Sequence, residues 1–459
     1  MFTTTQNKHH KIPVLSENPM VRYTTFILLY FSQGIPEGIT IFAIPAWMAM
    51  NGKSTAEIAG YSAVIMIPFT LKILLAPVME RYTYLPMGRR KPWLLFGQFG
   101  ILCSLIGLSF VPNPLENISL LAAVSVCVHI FVMFQDIATD SLVIDVVPIN
   151  EQGKANSFMW GSKTIGTSIS LAIGTLLINQ IGFQQALVIM SAFVVFILFV
   201  ALFVKERKGE KLHPWSAGSI SPEAASLVVD SWKKMFRSFR QVVLLKNMIF
   251  LLLSLFISNI ALHYMRTLLP IFTIQELGWT NAMYSTTYST SNLAGGILGM
   301  FIGGYIILRF GVIRLIQGSL FTLVLLILSV VIFPSLWLHP YFVGFLIAVF
   351  CTMLTLITIG GLALAMLLCW KRISAMQFTF CMTVFNLGLT TGAALLGLLR
   401  ENFGWQIIFV VFVVLILSSM FVLQFIKTGK HIEQVGLLEN NYLEIVKTEG
   451  SLLVQSETN

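Results

Sequence analysis

Long apolar segments recur along the whole chain, and they constrain its fold more than any other feature. A helix needs about 20 apolar residues to cross a bilayer, and twelve segments reach that length. The pattern therefore predicts an all-α integral membrane protein with twelve transmembrane helices. We place them at residues 24–50, 55–80, 92–112, 118–147, 153–180, 184–205, 246–275, 281–308, 312–334, 338–370, 374–399 and 404–427.

The composition excludes a water-soluble protein of this length. Of the 459 residues, 56% are hydrophobic and 11% are charged, so the surface of a soluble fold would be mostly apolar. The 29 Lys and Arg residues lie mainly in the gaps between apolar segments, which is the pattern of topology signals and argues against a nucleic-acid partner. The five cysteines fall inside apolar segments without metal-ligand spacing, so we expect core residues and no metal site.

Orientation follows from the distribution of the basic residues. If both termini lie on one side, 24 Lys and Arg residues fall on that side, and only Lys53 and Arg400 fall on the other. Because cytoplasmic loops carry the excess of basic residues, both termini are expected in the cytoplasm. The first apolar segment has no evident cleavage site after the polar residues 1–22, so it is expected to remain as a helix.

One long connector divides the spans six and six. We expect a segment 1–22, a first bundle 23–205, a linker 206–245, a second bundle 246–427 and a tail 428–459, to which no role is assigned. A helix is expected to start at Ser221-Pro222-Glu223. Beyond it, one face should carry the apolar side chains and the other the basic ones, as in a helix lying on the inner leaflet. The apolar residues are Trp232, Phe236, Phe239 and Val243, and the basic ones are Lys233, Lys234, Arg237 and Arg240.

The two halves repeat each other at equivalent loops. PVMERYTYLPMGRRK (Pro77–Lys91) corresponds to GGYIILRFGVIR (Gly303–Arg314), and EQGKANSF (Glu151–Phe158) corresponds to KRISAMQF (Lys371–Phe378). Six plus six helices with such weak duplication is the arrangement of the major facilitator superfamily.

Several longer motifs lie within or beside the predicted spans: FSQGIPEGIT (Phe31–Thr40), PFTLKILLAPVMERY (Pro68–Tyr82), QDIATDSLVIDVVP (Gln135–Pro148), SAMQFTFCMTVFNLG (Ser374–Gly388) and the pair Gly404-Trp405. They resemble one branch of that superfamily, the AmpG-type muropeptide permeases; the same broader branch includes acetyl-CoA transporters. The resemblance implies two pseudo-symmetric bundles in the bacterial cytoplasmic (inner) membrane and import of cell-wall muropeptides. Three positions depart from the branch: Glu80 replaces its usual Asp, and Lys163 and Leu389 stand where Arg is common.

Acids inside the fourth apolar segment are the first candidates for transport chemistry. His129, Asp136 and Asp140 lie at i, i+7 and i+11, so they share one face of a helix. A charge at the bilayer centre costs at least ~2.5–3.5 kcal/mol, so these acids are expected to have a function. Asp136 either couples transport to protons or binds substrate, or it forms a permanent ion pair with Lys163 or Lys72. Asp140 fits a structural role better, and His129 fits packing.

Other polar side chains within the spans are further candidates. Lys163 either binds an anionic group of the substrate or neutralises Asp136 or Glu37. Glu37 follows Pro36 in a glycine-rich break that permits a bend; its functional and structural readings stay open. The remaining candidates lie in separate spans: Arg266, which contacts substrate or reaches the membrane surface, and Gln377 and Asn156, which line the cavity or bond across helices.

Charges at the cytoplasmic ends are expected to form a conformational latch. Basic side chains of the loop between spans 2 and 3 should pair with acids at the ends of spans 2 and 4 and so hold the outward-open state. The predicted latch comprises Glu80, Arg81, Gly88, Arg89, Arg90, Lys91, Asp145 and Arg309.

These features together predict a proton-coupled secondary importer of a polar solute such as an anhydro-muropeptide. The chain has no HExxH, GxSxG or GxxxxGK[ST] motif, which argues against an intramembrane enzyme and against ATP-driven transport. We expect no cofactor other than the proton gradient, and a monomer whose partners are solute, protons and lipids. Two alternatives remain: a transporter of another organic anion or CoA ester, and a sensor or assembly protein that does not transport.

Overall fold

Membrane-spanning helices make up most of the structure, a computed structural model that describes residues 13–229, 231–400 and 402–457. Within these residues, twelve helices are long and apolar enough to cross a membrane, which confirms the predicted all-α fold. They are numbered here as spans 1 to 12: Pro19–Met48, Gly60–Arg81, Lys91–Ser109, Ile118–Val146, Ile149–Ile181, Phe183–Leu202, Lys246–Glu276, Met283–Phe310, Val312–Ile332, Pro340–Leu367, Lys371–Arg400 and Trp405–Leu423. Three further α-helices are Pro222–Ser226, Trp232–Val243 and Thr428–Glu457.

The same packing pattern occurs in both halves. In the first half, span 1 packs against span 5, span 2 against span 4, and span 3 against spans 4 and 6. In the second half, the equivalent contacts join spans 7 and 11, spans 8 and 10, and span 9 with spans 10 and 12. The halves meet where span 2 faces span 11 and where span 5 faces span 8. The structure therefore consists of two pseudo-symmetric six-helix bundles, as predicted.

Glycines allow the closest helix pairs to form. A Cβ atom on Gly34 of span 1 would lie 2.5 Å from the amide nitrogen of Thr167 in span 5. In the equivalent pair, a Cβ atom on Gly392 of span 11 would lie 2.4 Å from the carbonyl oxygen of Ile260 in span 7. Small residues at such contacts let helix backbones approach, which is a main source of packing energy in a membrane.

The first span of each half changes its helical pitch shortly after a proline. Pro36 precedes a π-helical turn at Gly38–Ala43, and Pro270 precedes one at Phe272–Glu276. A proline has no N–H to donate, so the local hydrogen-bond pattern must change around it. The predicted break at Gly34–Gly38 in span 1 thus coincides with a change in helix type.

Span 1 begins at Pro19 rather than at residue 24, because the positive charge of Arg22 near its start is neutralised by Glu151. The Asn18 side chain accepts hydrogen bonds from the amides of Met20 and Val21 and so caps the helix. Arg22 is only 2% exposed and lies 2.5 Å from Glu151 at the start of span 5.

The linker and the tail form a second, smaller hydrophobic core at one end of the bundle. The helix Trp232–Val243, called the connector helix below, buries Met235 and Val242 beside Trp370, Ile373 and Met376. The predicted apolar face is therefore divided: Phe239 and Val243 pack on this core, whereas Trp232 and Phe236 are exposed. The tail, to which no role was assigned, is the long helix Thr428–Glu457, and Val435, Leu438 and Tyr442 of this C-terminal helix pack on the same core.

The substitution Gly392→Ala tests the close approach of spans 7 and 11. The new methyl group would collide with the backbone of span 7, so we expect a loss of about 1–3 kcal/mol in the free energy of unfolding. Gly397→Ala is the matched control, because it lies in the same helix with no atom near its Cβ position. Thermal unfolding in detergent should show a lower Tm for Gly392→Ala alone; equal Tm values would contradict the close contact.

Candidate functional site

A buried cluster joins spans 1, 2 and 4. Lys72 of span 2 forms an ion pair with Asp136 of span 4, and its Nζ lies 3.9 Å from Oδ2 of Asp140. The hydroxyl of Tyr30, in span 1, donates a hydrogen bond to Asp140. These four side chains, called the proton cluster below, are each at most 9% exposed. Of the two partners considered for Asp136, the structure therefore shows Lys72.

A second ion pair lies close by, between spans 1 and 5. Nζ of Lys163 is 2.7 Å from Oε1 of Glu37, and it also lies 5.1 Å from the centre of the Trp160 ring. The Trp160 ring in turn packs edge-on against Tyr30, with 6.1 Å between ring centres. Aromatic contacts thus connect the Glu37–Lys163 pair to the proton cluster.

Two polar side chains beside these pairs leave polar atoms without a well-formed hydrogen bond among the described residues. Gln33, one helical turn before Glu37, is fully buried, and its amide faces Asp136 without a hydrogen bond of good geometry. The indole nitrogen of Trp160 is unpaired as well. Buried polar atoms are nearly always satisfied, so these groups set the region apart from ordinary helix packing.

His129 and Asn156 are used for packing. Nε2 of His129 is 2.9 Å from the Thr40 hydroxyl, and its ring packs 5.2 Å from that of Phe69, in agreement with the expected structural role. Asn156 donates a hydrogen bond of 2.6 Å to the carbonyl oxygen of Ile359. Asn156 therefore links span 5 to span 10 across the two halves.

The second half contributes a cation within a span. Arg266 of span 7 is exposed, and the ion pairs of the described residues join it to no carboxylate. It lies near Tyr284 and Tyr288 of span 8 and Cys351 of span 10. The two tyrosine rings are 5.7 Å apart, so an aromatic pair adjoins this cation.

Four buried charges close one end of the bundle between the two halves. Arg89 and Arg90 of the 2–3 loop both pair with Glu80 of span 2 and with Asp145 of span 4. Each of the four residues is at most 2% exposed. We refer to Glu80, Arg89, Arg90 and Asp145 as the bridging cluster.

The bridging cluster binds the other half mainly through backbone groups. Arg89 donates to the carbonyl oxygens of Lys371, at 2.8 Å, and Arg372. Glu80 accepts from the amide of Ala375 at 2.7 Å, at the N-terminus of the helix in span 11, where a negative charge is favoured by the helix dipole. The Ser374 hydroxyl contacts one acid and one base of the cluster. It donates a hydrogen bond to Asp145 at 2.9 Å and accepts one from Arg90 at 3.0 Å.

Gly88 and Lys91 belong to a neighbouring contact with the linker. The buried Glu206 carboxylate accepts from the backbone amides of Arg89, Arg90 and Lys91. Burial raises the pKa of Glu206, while nearby Arg207 and these amides favour its charged form. Gly88 has φ of +105°, and a Cβ atom there would lie 2.4 Å from the Glu206 carboxyl carbon.

Arg81 and Arg309, also assigned to the latch, lie outside the bridging cluster. Arg81 follows Glu80 directly, so the helical period turns it away from the partner half; its guanidinium lies 5.9 Å from the Tyr82 ring. Arg309 is exposed at the end of span 8. Gln377 accepts from the amide of Trp370 and donates to the carbonyl of Leu368, so it fixes the 10–11 loop instead of lining a cavity.

Sequence reasoning missed Tyr30, Trp160, Ser374 and Glu206. Tyr30 lies at i−7 from Glu37, and Trp160 lies at i−3 from Lys163, so helical spacing from the charged residues is a signal that identifies both. The role of Ser374 and Glu206 depends on contacts across the fold, for which the sequence carries no local signal.

Comparison with known proteins identifies the family. The family model described as "Major Facilitator Superfamily" matches residues 26–370, which is most of the chain. The chain belongs to the major facilitator superfamily. Its members are membrane transporters and not enzymes, so the charged clusters described above lie in a transporter.

Relatives and solved structures agree with this assignment. The chain is 24% identical over 394 residues to "Anhydromuropeptide permease" of Escherichia coli K12, covering 84% of this chain and 75% of that protein. It is 20% identical over 396 residues to "Putative transporter AmpG 1" of Rickettsia bellii, covering 83% and 92%. The major facilitator transporter FucP in its outward conformation has the same fold, with a TM-score of 0.69 at 12% identity over 90% of this chain and 99% of that one.

Glu80→Gln tests whether the bridging cluster holds the two halves of this major facilitator protein together. Spin labels at Asn150→Cys and Arg314→Cys, both exposed at the same end, report the separation of the halves in a background without the native cysteines. Leaving buried charges without their partner costs ~3–5 kcal/mol. We therefore expect the fraction of molecules whose two halves are separated at this end to rise more than about tenfold. Glu116→Gln, at an exposed acid, is the control; an unchanged distance distribution in Glu80→Gln would refute this role.

Proposed function

We propose that this protein is a proton-coupled importer of a polar solute, with an anhydro-muropeptide as the first candidate, in the bacterial cytoplasmic membrane. The observation that carries the proposal is the proton cluster, in which one lysine faces two buried carboxyl groups. The permease from Escherichia coli, at 24% identity, supports the choice of the first solute to test.

The charge count of the proton cluster explains the coupling. Lys72 supplies one positive charge, and Asp136 and Asp140 supply two negative charges when both are ionised. The cluster is therefore neutral only when one carboxyl group carries a proton. A net charge is costly away from water. The protonated, neutral cluster is therefore suited to the states that are closed to water on both sides, through which the protein passes between its outward-open and inward-open forms. The deprotonated cluster is suited to a state open to water.

The solute would bind between the halves, beside the proton cluster. Glu37, Lys163 and the Gln33 amide offer charged and neutral hydrogen-bonding groups on one side. Trp160 offers an aromatic surface suited to a sugar ring. On the side of the second half, Arg266 and Tyr288 would face the solute. An anionic group of the solute would pair with Arg266.

The orientation follows from the positive-inside rule. The loops next to the bridging cluster carry Arg81, Arg89, Arg90, Lys371 and Arg372, so this end and both termini would face the cytoplasm. The closed bridging cluster then belongs to a state that faces outward. Solute and proton would enter from outside, and opening of the bridging cluster would release them into the cell.

Another organic anion is the second candidate solute, because Arg266 has no acidic partner among the described residues. Uptake into vesicles with an imposed pH gradient separates the candidates. The panel should contain anhydro-muropeptides, short peptides, organic anions and CoA esters. Accumulation of an anhydro-muropeptide that a proton uncoupler abolishes is the expected result, and accumulation of none of the panel would refute the proposal.

Asp136→Asn should separate proton coupling from solute movement. In this variant Lys72 can pair with Asp140, so the cluster is neutral without a bound proton. We therefore expect gradient-driven accumulation to fall by more than about tenfold, the effect of ~1.4 kcal/mol, while exchange of labelled for unlabelled solute continues. Glu116→Gln is the control, and accumulation at the normal level in Asp136→Asn would rule out the proposed coupling role.

A further inference from the structure

We propose that the C-terminal helix positions the cytoplasmic gate, and that Glu439 on this helix is the positioning residue. Among the described residues, the ion pairs and hydrogen bonds of the bridging cluster involve no side chain of this helix. The helix holds residues 368–373, called the 10–11 loop, which lead from span 10 through the first turn of span 11 to the α-helix Ser374–Arg400, and whose backbone the bridging cluster binds. Undocking of the helix would then favour opening at this end. The inference rests on the proposed function only in treating the bridging cluster as the gate.

Arg372 is the residue through which the two parts are connected. The residue is 1% exposed, and its guanidinium pairs with Glu439, with Nε at 3.1 Å from Oε2 and Nη2 close to Oε1. The guanidinium also lies 4.1 Å from the centre of the Tyr442 ring. The backbone carbonyl of the same residue accepts a hydrogen bond from Arg89. One residue is thus held by the C-terminal helix and bound by the opposite half.

The linker completes the binding of the Arg372 side chain. Nη1 of Arg372 donates to the carbonyl oxygen of Ser226 at 2.7 Å, just before the connector helix. An arginine has five donors in a rigid plane, so a site that satisfies it from several directions fixes its position closely. The connector joins the two halves in the chain, so Arg372 is held by the linker as well as by the tail.

The C-terminal helix fixes the loop at two further points. The indole nitrogen of Trp370 donates to Oε2 of Glu439 at 2.6 Å. Near the start of the helix, the buried His431 lies with Nε2 2.8 Å from the carbonyl oxygen of Leu368. Together with the small core formed by Trp370, Ile373 and the connector helix, these contacts make the loop, the linker and the tail one packed unit.

This arrangement predicts that Glu439 acts on the gate through Arg372. Arg89 reaches two successive backbone carbonyls, of Lys371 and Arg372, and hydrogen bonds weaken steeply with distance and misalignment. A small displacement of the loop therefore weakens both. Without Glu439, Arg372 is a nearly buried cation with no other carboxylate partner in the part of the chain that the structure describes, which favours movement of the loop toward water.

The variant Glu439→Gln tests the inference, with Glu433→Gln as the matched control. Both substitutions remove one negative charge from the C-terminal helix, but Glu433 is exposed. The spin-label pair at Asn150→Cys and Arg314→Cys is measured in lipid nanodiscs without solute or pH gradient. Losing a charge-assisted hydrogen bond should raise the ratio of separated to closed ends about fivefold or more in Glu439→Gln, with no change in Glu433→Gln.

Thermal unfolding distinguishes positioning from general loss of structure. A shifted distance distribution with a Tm within about 4 °C of the unmodified protein, a change of ~1 kcal/mol or less, supports the inference. An unchanged distribution in Glu439→Gln overturns it, as does an equal shift in Glu433→Gln or a shift seen only with a larger fall in Tm. The measurement involves no transport, so a failed uptake assay would refute the proposed function without deciding this inference.

Discussion

The cost of placing charge in an apolar medium governs the arrangement of this protein. Charges inside a membrane are tolerated when they pair with one another or face a water-filled space. Lys72 and Lys163 each have an acid partner in a different span, and the buried arginines of the bridging cluster have two each. The lysine pairs join separate spans, and the two arginines join the 2–3 loop to span 4 through Asp145, so these charges help determine which helices stay together.

The two charge groups divide the work of transport in the proposed mechanism. The proton cluster lies within the first half and changes its net charge when a proton binds. The bridging cluster lies between the halves, where Arg89 and Glu80 bind backbone groups of the 10–11 loop and of span 11. Alternating access requires that the protonation state of the proton cluster controls the opening of the bridging cluster. Span 4 is the physical connection, since Asp140 of the proton cluster and Asp145 of the bridging cluster lie on the same helix.

Much of the fold could be predicted from the sequence, because span length and hydropathy follow from the thickness of a bilayer. The choice of partner for Asp136 could not, since Lys72 and Lys163 were both plausible until the helix faces were known. Arg81 and Arg309 carry the charge expected of a latch but lie outside the bridging cluster. Arg81 is turned away from the partner half, and Arg309 is exposed at the end of span 8. Glu80, Arg89, Arg90 and Asp145 pair as the sequence led us to expect, but neither their burial nor their backbone contacts with span 11 could be read from the sequence, and their role as a latch stays a prediction.

The tail shows why polar segments are easily misjudged. Thr428–Glu457 looks like a solvated terminus, but Val435, Leu438 and Tyr442 lie at i, i+3 and i+7 and so share one face. That short apolar face packs against the 10–11 loop, where Glu439 meets Arg372. A docked helix of this kind needs only a few apolar residues, fewer than a membrane span, so hydropathy alone does not detect it.

The most direct test of the central claim is to measure proton movement during solute entry. Vesicles containing the purified protein are placed in a lightly buffered medium, an anhydro-muropeptide is added, and the external pH is recorded. If the proton cluster is neutral only with a proton bound, the medium should become more alkaline as solute enters. Entry of the solute without any change in external pH would contradict the account.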